Sequence, residues 1–90
     1  MANFNFGIDC ETEEQAQDLY KFINSSQIFQ QGLEIEDMRI SLISKQTLLS
    51  ELEIFFKRNA FSGSVELWPS EVDYDEADKN GSLEVYEYEN

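Results

Sequence analysis

Histidine is absent from the 90-residue sequence, and cysteine and proline occur once each. Without histidine, the chain lacks the commonest general base, metal ligand and catalytic-triad member. It also has no Cys-x-x-Cys pair for zinc and no glycine-rich loop for phosphate. Among its many acids, nothing singles out a carboxylate pair suited to hydrolysis. We therefore expect a protein that is not an enzyme, with no catalytic residue, no metal site and no cofactor.

Long apolar runs are missing as well, since none reaches the roughly 18–20 residues that a membrane span needs. Residues 1–10 carry no basic segment of the kind that begins a signal peptide. A single cysteine cannot form an internal disulfide, which is typical of a reducing compartment. Ninety residues leave room for one core, and 41% hydrophobic residues are enough to form it. These features predict one cytoplasmic domain that spans residues 1–90.

Basic residues are few: six Lys and Arg stand against nineteen Asp and Glu, for a net charge of −13. That charge exceeds the roughly 2–8 units that keep a small domain soluble. It repels DNA, RNA and anionic lipid, so we expect neither direct nucleic-acid binding nor membrane binding. The expected partner is a basic protein that itself handles nucleic acid, with a homodimer as an alternative.

The acids are concentrated in two segments. Residues 9–18 hold five acids and no base, and residues 66–90 hold nine acids with Lys79 as the one base. Most of the remaining bases lie in the middle of the chain. The sequence therefore predicts two acidic regions, of which the C-terminal one is larger.

Hydrophobic periodicity predicts alternating strands and helices. Residues 4–10 alternate as a half-buried strand does, and Thr12 and Gln15 form a capping box for a helix that runs to the mid-twenties, or on to Gly32. Residues 38–42 predict a second strand, which either begins at Leu33 or follows a separate strand there. Ser44 is a candidate cap for a second helix, and residues 65–67 and 83–88 alternate as two further strands.

The resulting order, β-α-β-α-β-β, predicts an α+β protein. Two right-handed crossovers would place both helices on one face of a four-stranded mixed sheet, as a two-layer α/β sandwich. If residues 33–43 split into a hairpin, the arrangement becomes ferredoxin-like. The other face of the sheet is expected to be open.

One segment, residues 76–87, has the spacing of a calcium-binding loop, with Asp78, Asn80, Gly81 and Glu87 at matching positions. Two features oppose that interpretation: Glu76 stands where a shorter Asp is needed, and too little chain follows for an exiting helix. Asn-Gly is also the strongest short hairpin signal. We favour the hairpin over a calcium site.

The open face is expected to show the aromatic side chains Trp68, Tyr86 and Tyr88 beside the acids Glu66 and Glu84. Arg39 and Ile43 are expected nearby. Arginine stacks on aromatic rings and pairs with carboxylates, so such a face suits a basic protein. If residues 71–75 are extended, their acids lie about 6.6 Å apart in a row. The predicted partner-binding residues are Asp9, Glu13, Glu14, Glu66, Trp68, Glu71, Asp73, Asp75, Glu76, Asp78, Glu84, Tyr86 and Tyr88.

Two functions fit these expectations. The first is a small acidic inhibitor that occupies a nucleic-acid-binding surface by mimicking its charge. In size and charge alone, the chain resembles phage anti-restriction and anti-CRISPR proteins and the immunity proteins of nuclease toxins, with which it shares no motif. The second is an assembly module that self-associates or joins a complex through the open sheet face.

Overall fold

The computed structural model describes residues 3–89, which form one five-stranded sheet and three helices. The elements in chain order are β1 (Phe4–Cys10), α1 (Glu13–Ser25), β2 (Gln30–Glu36), β3 (Arg39–Ser44), α2 (Leu48–Arg58), β4 (Gly63–Pro69), α3 (Tyr74–Asn80) and β5 (Glu84–Tyr88). The α+β class is confirmed. None of these helices is long and apolar enough to cross a membrane.

The sheet is antiparallel throughout, with the strand order β2-β3-β1-β4-β5. The prediction of a four-stranded mixed sheet is therefore wrong. Helix α1 does connect two strands that run in the same direction, but β3 lies between them. In the same way, β1 lies between the two strands that α2 connects. Each crossover leaves a gap that an antiparallel strand fills, so no parallel pair forms.

Residues 30–44 form two strands, which settles the alternative left open by the sequence. The chain turns at Asp37, whose φ of 54° lies in the left-handed region. Gly32, expected as a helix stop, instead lies in a register irregularity of β2 with a φ of 66°. Helix α1 ends earlier, at Ser25, because the chain becomes extended at Ser26. The continuation of α1 through residues 28 and 29 was thus a wrong prediction.

The core lies between the sheet and helices α1 and α2. The buried residues of β1, β3 and β4 alternate along each strand and form one cluster with the inner stripes of both helices. Phe56 of α2 stacks on Phe61 with a centroid distance of 4.0 Å. Burial of each such ring contributes about 2–3 kcal/mol. Both predicted helices therefore do cover the same face.

Two local predictions about helix ends have different outcomes. Thr12 caps α1 as expected, because its hydroxyl accepts from the Gln15 amide at 3.1 Å. Ser44 does not cap α2. It is fully buried in β3, where its hydroxyl donates to the carbonyl of Phe29 at 2.5 Å. This bond ties the start of β2 to the core instead.

The acidic segment after β4 forms the short helix α3, which the sequence did not predict. Asp73 caps it by accepting from the Glu76 amide at 2.9 Å, and Gly81 ends it with a φ of 80°. The Asn80-Gly81 pair is therefore a helix C-terminus and not a hairpin turn, since both structures use glycine at positive φ. Helix α3 is thus a third helix, located between β4 and β5.

Candidate protein-binding face

The sheet face opposite α1 and α2, here called the outer face, presents residues in rows that cross the strands. Strand register places Glu36, Arg39, Asp9, Ser64 and Glu87 in one row that crosses all five strands. Side chains that face each other on adjacent strands are about 4.5–5.5 Å apart at Cβ. Three carboxylates and one guanidinium thus lie along a single line of the sheet.

The second and third rows contain progressively fewer acids than the first. The second row holds Glu34, Ser41, Gly7, Glu66 and Val85, and the third holds Gln31, Ile43, Asn5 and Trp68. The outer face is therefore acidic at the end where β1 finishes and neutral at the other end. Over the third row lies a shallow cleft of about 280 Å³.

Arg39 is the one base in these three rows of residues, and it is already paired. Its Nη1 donates to Asp9 Oδ2 at 2.7 Å and to Glu66 Oε1 at 3.1 Å. Among residues 3–89 these are the only ion pairs. Burial lowers the pKa of Arg39, but the bonds and charges of Asp9 and Glu66 raise it by more, so the group stays charged. The remaining acids of the face lack a cation of their own.

The Arg39 side chain can reach Glu66 because Gly7 lies between the two. A Cβ added to Gly7 would lie 2.1 Å from Nη2 of Arg39. A glycine in the middle of a strand allows such a close approach. The guanidinium therefore lies flat across β1, between the first and second rows.

Helix α3 packs against the same face: Ala77 is fully buried, and the first residue, Tyr74, contacts the side chains of β4. Tyr74 donates its hydroxyl to Glu66 Oε2 at 2.7 Å, and its ring meets Trp68 edge-on at 5.2 Å. The carboxylate of Glu66 thus joins Arg39 to α3. The bond to Glu66, together with its charge, raises the pKa of Tyr74 above its ordinary value.

Two clefts of about 550 and 560 Å³ flank Asp9 at the acidic end of the outer face. One lies between Asp9 and the β2–β3 turn, and the other between Asp9 and the end of β5. Their acids are Asp9, Glu11, Glu34, Glu36, Asp37, Glu87 and Glu89. These acids come from three separate parts of the chain, and we call them the acidic rim. The rim suits lysine or arginine side chains that approach from outside.

The predicted site residues of the final strand lie on the other face. Glu84, Tyr86 and Tyr88 pair with Leu67, Val65 and Gly63, so they point toward the helices. Tyr88 donates to Glu53 of α2 at 2.9 Å and packs on Phe56. The expected placement of these three residues beside Trp68 is therefore wrong. The two rings bury more area on the core than Val85 would, and this sets the phase of β5.

The predicted row of extended acids is also wrong. Asp73 is the cap of α3 and Asp75 lies in its first turn, while Glu71 precedes the helix. Carboxylates at a helix N-terminus stabilise the helix through its dipole. The acids of this segment are therefore explained by α3 and not by an extended strand. Glu76 and Asp78 are on the exposed surface of the same helix, and Glu13 and Glu14 occupy the first turn of α1.

Sequence reasoning missed the acids of β2 and its turn. Glu34, Glu36 and Asp37 are exposed and belong to the acidic rim, yet they lie outside both acidic segments of the sequence. The signal that could have found them was the alternation of acids with Leu33 and Ile35. That alternation indicates a strand with one acidic side.

Residues 76–87 do not have the geometry of a calcium-binding loop. Residues 76–80 are helical and residues 84–87 are extended, so the segment has no open loop of twelve residues. Within residues 3–89, no group of three or more acids, Cys or His is arranged to hold a metal ion.

Cys10 lies under the acidic rim as a buried residue with 7% exposure. Burial, and then the charge of Asp9, raise the pKa of its thiol to about 11. A thiol with such a pKa is almost entirely protonated near neutral pH, and only the thiolate is a good nucleophile. Cys10 is thus a packing residue of the core.

Comparison with known proteins identifies no relative: no family model, no curated protein and no solved structure matches the chain. Functional interpretation therefore depends on the geometry and charge of the outer face.

Proposed function

We propose that the protein is a non-catalytic, acidic inhibitor that binds a basic surface of a nucleic-acid-handling protein in the cytoplasm. It would act by occlusion, with carboxylates of the acidic rim pairing with the Lys and Arg side chains that otherwise hold phosphates. Phage anti-restriction and anti-CRISPR proteins and nuclease-immunity proteins are the groups whose size and charge it shares.

The observation that carries this proposal is the assembly of the acidic rim from three parts of the chain. A charge of −13 spread evenly over a surface would serve solubility alone. Here the acids meet at one end of a sheet face that α3 covers in part, and Arg39, the base in the rows of that face, is neutralised by Asp9 and Glu66. Concentrated charge of one sign steers an oppositely charged protein and speeds its association.

The dimensions of the outer face support nucleic-acid mimicry. Glu34 and Glu36 of β2 lie two strands away from Asp9 of β1, or about 10 Å. The grooves of B-DNA, which separate its phosphate rows, are about 6 to 12 Å wide. A surface built to hold phosphates on both sides of a groove can therefore meet carboxylates at a similar spacing.

We also infer that the first four strands and first two helices are a ferredoxin-like unit to which α3 and β5 are added. The support is the β-α-β-β-α-β order of these elements, with the sheet order β2-β3-β1-β4. In this interpretation α3 and β5 are the additions that bring Tyr74 and Glu87 to the outer face.

The experiment that tests the function is capture of partners from a cell lysate with immobilised protein at low and high salt. Wild type should capture a nucleic-acid-binding protein at about 0.05 M salt and lose it near 0.5 M, because salt screens exposed charges. The rim variant Glu34→Gln/Glu36→Gln should weaken that binding about 2- to 30-fold.

The matched control is Asp18→Asn/Glu51→Gln, in which both acids are exposed and lie outside the acidic rim. Each double variant changes the net charge from −13 to −11, since each removes two negative charges. The control should bind as wild type does. Equal losses in both variants would mean that total charge, and not the rim, is recognised, and binding that ignores salt would refute charge mimicry.

A second candidate, a self-associating assembly module, is favoured by the neutral third row of the outer face. Ile43 and Trp68 flank Asn5 there, and no helix covers them except where Tyr74 meets Trp68. In that case sedimentation would show a dimer that Trp68→Ala disrupts. A monomer at all concentrations would refute self-association.

A further inference from the structure

We propose that Arg39 is a positioning residue that holds helix α3 on the outer face, so that the acids of α3 and the acidic rim meet a basic partner as one rigid surface. This inference rests on the proposed function for its binding part. Its structural part, the control of α3 by Arg39, stands without any partner.

The argument starts from how α3 is held. The helix has seven residues, and isolated helices shorter than about 12–15 residues are marginal in water. Its order must come from tertiary contacts. One such contact is the burial of Ala77, which is fully buried. The side-chain contacts to the outer face are the hydroxyl bond of Tyr74 to Glu66 and the ring contact of Tyr74 with Trp68.

Glu66 is in turn held by Arg39. The Glu66 side chain is 16% exposed, and a carboxylate that is removed from water to this extent needs a compensating partner. Arg39 supplies the only ion pair that Glu66 makes among residues 3–89. Without the guanidinium, Glu66 would turn outward to water and release Tyr74, because Asp9 and Asp78 add only negative charge nearby.

Gly7 shows that the strand sequence accommodates this arginine. The guanidinium crosses β1 where a Cβ would be 2.1 Å from Nη2. Any larger residue at this position would push the flexible end of Arg39 away from Glu66. The guanidinium of Arg39 passes over Gly7 of β1 and bonds to both Asp9 and Glu66. It thus connects Asp9, in the acidic rim, to Glu66, which binds α3.

If Arg39 positions α3, its removal should change the affinity for a polycation in the direction opposite to that expected from net charge alone. Replacing Arg39 with methionine changes the net charge from −13 to −14, since one positive charge is lost. Attraction to a polycation should therefore increase if only charge matters. If Arg39 positions α3, binding should weaken, because a mobile helix must be ordered again on binding.

The test compares Arg39→Met with Lys21→Met, which changes the net charge equally at an exposed site of α1 on the other side of the sheet. Amide hydrogen exchange of residues 74–80 is the first measurement, and affinity for poly-L-lysine by calorimetry is the second. In Arg39→Met, α3 amides should exchange about tenfold faster than in wild type while amides of β1 keep their protection. Its affinity for poly-L-lysine should fall about fivefold, and that of Lys21→Met should not fall.

Gly7→Ala is the second variant and keeps the net charge at −13. The added methyl group displaces the guanidinium from Glu66, so α3 should exchange faster and poly-L-lysine should bind more weakly, as in Arg39→Met. Unchanged α3 exchange in both variants would overturn the positioning role. Faster exchange with unchanged or tighter binding would overturn the link between α3 and recognition.

Failure of the proposed function gives a different pattern. If wild type binds poly-L-lysine no better at low salt than at high salt, charge recognition by the whole protein is refuted. The hydrogen-exchange comparison still decides whether Arg39 holds α3.

Discussion

Tyr74 is exposed, yet its hydroxyl donates to a carboxylate that is tied to the sheet. Its pKa is raised first by the bond to Glu66 and then by the charge of Glu66, because a phenolate would face that negative charge. We predict that Glu66→Gln lowers the pKa of Tyr74 toward the ordinary value of about 10. Proton NMR of the Tyr74 ring during a pH titration measures this change. An unchanged pKa in Glu66→Gln would show that the hydrogen bond does not form in solution.

Cys10 provides a second test at the scale of one residue. Its thiol is buried, and its pKa is raised to about 11 by burial first and by Asp9 second. We predict that iodoacetamide labels Cys10 very slowly near pH 8 in the native protein and rapidly in denaturant, where the thiol is exposed. Mass spectrometry follows the reaction. Rapid labelling of the native protein would contradict a core position for this residue.

The same raised pKa links stability to pH. A thiol whose pKa is higher in the folded state stabilises the fold fully below its unfolded pKa and loses that contribution as pH rises. Cys10 should therefore begin to reduce stability near pH 9.0, the ordinary pKa of a cysteine thiol, and complete its effect near pH 11, its pKa in the folded protein. Tyr88, whose pKa is raised by burial and by its bond to Glu53, should reduce stability further above about pH 10. Urea denaturation at several pH values measures this loss, and Cys10→Ala should remove its first part.

Helix α3 provides the test at the scale of one element. Gly81 ends the helix at a φ of 80°, with no atom within 4 Å of a Cβ added there. Substitution with alanine should therefore cost only the backbone strain, about 1–2 kcal/mol. Gly81→Asn should cost less, because asparagine tolerates the left-handed region. Equal stability of Gly81→Ala and wild type in urea would mean that α3 does not end as described.

At the element scale, the sequence predicted elements with strong local signals. Helix α1 was predictable because Thr12 and Gln15 mark its start and apolar residues recur along one stripe. Helix α3 was not, because seven residues with one buried apolar side chain, Ala77, have too weak a periodicity. The phase of β5 was also unpredictable, since apolar and aromatic residues alternate there and only the packing of Tyr88 on Phe56 distinguishes the two faces.

At the scale of the whole molecule, the sequence likewise predicted only part of the candidate site. The sequence predicted Glu66 and Trp68 on one sheet face with Arg39 and Ile43 nearby, and these four residues do lie on the outer face. Asp9, predicted only as part of the first acidic segment, lies on the same face. The alternation in residues 33–36 indicates an acidic side on β2, but its place in the site was not predictable, because only strand order brings Glu36 next to Arg39 and into one row with Asp9. The Arg39 network depends on register across three strands, which no local pattern encodes.

At the scale of the whole molecule, the high net negative charge lowers the stability of the folded state. Nineteen acids against six bases repel one another in the folded state. We predict that added sodium chloride raises the melting temperature, by about 4–8 °C for each kcal/mol of repulsion screened. The ion pairs of Arg39 are partly buried and are screened less than exposed charges. A melting temperature that falls with salt would mean that attractive pairs outweigh the repulsion.

Occlusion of a nucleic-acid-binding surface is the central claim, and displacement tests it most directly. Wild-type protein is titrated into a complex of its captured partner with fluorescent DNA or RNA, and anisotropy reports release of the nucleic acid. We predict release at one protein per site, weakened by Glu34→Gln/Glu36→Gln and not by Asp18→Asn/Glu51→Gln. Nucleic acid that stays bound while the protein also binds would contradict the claim.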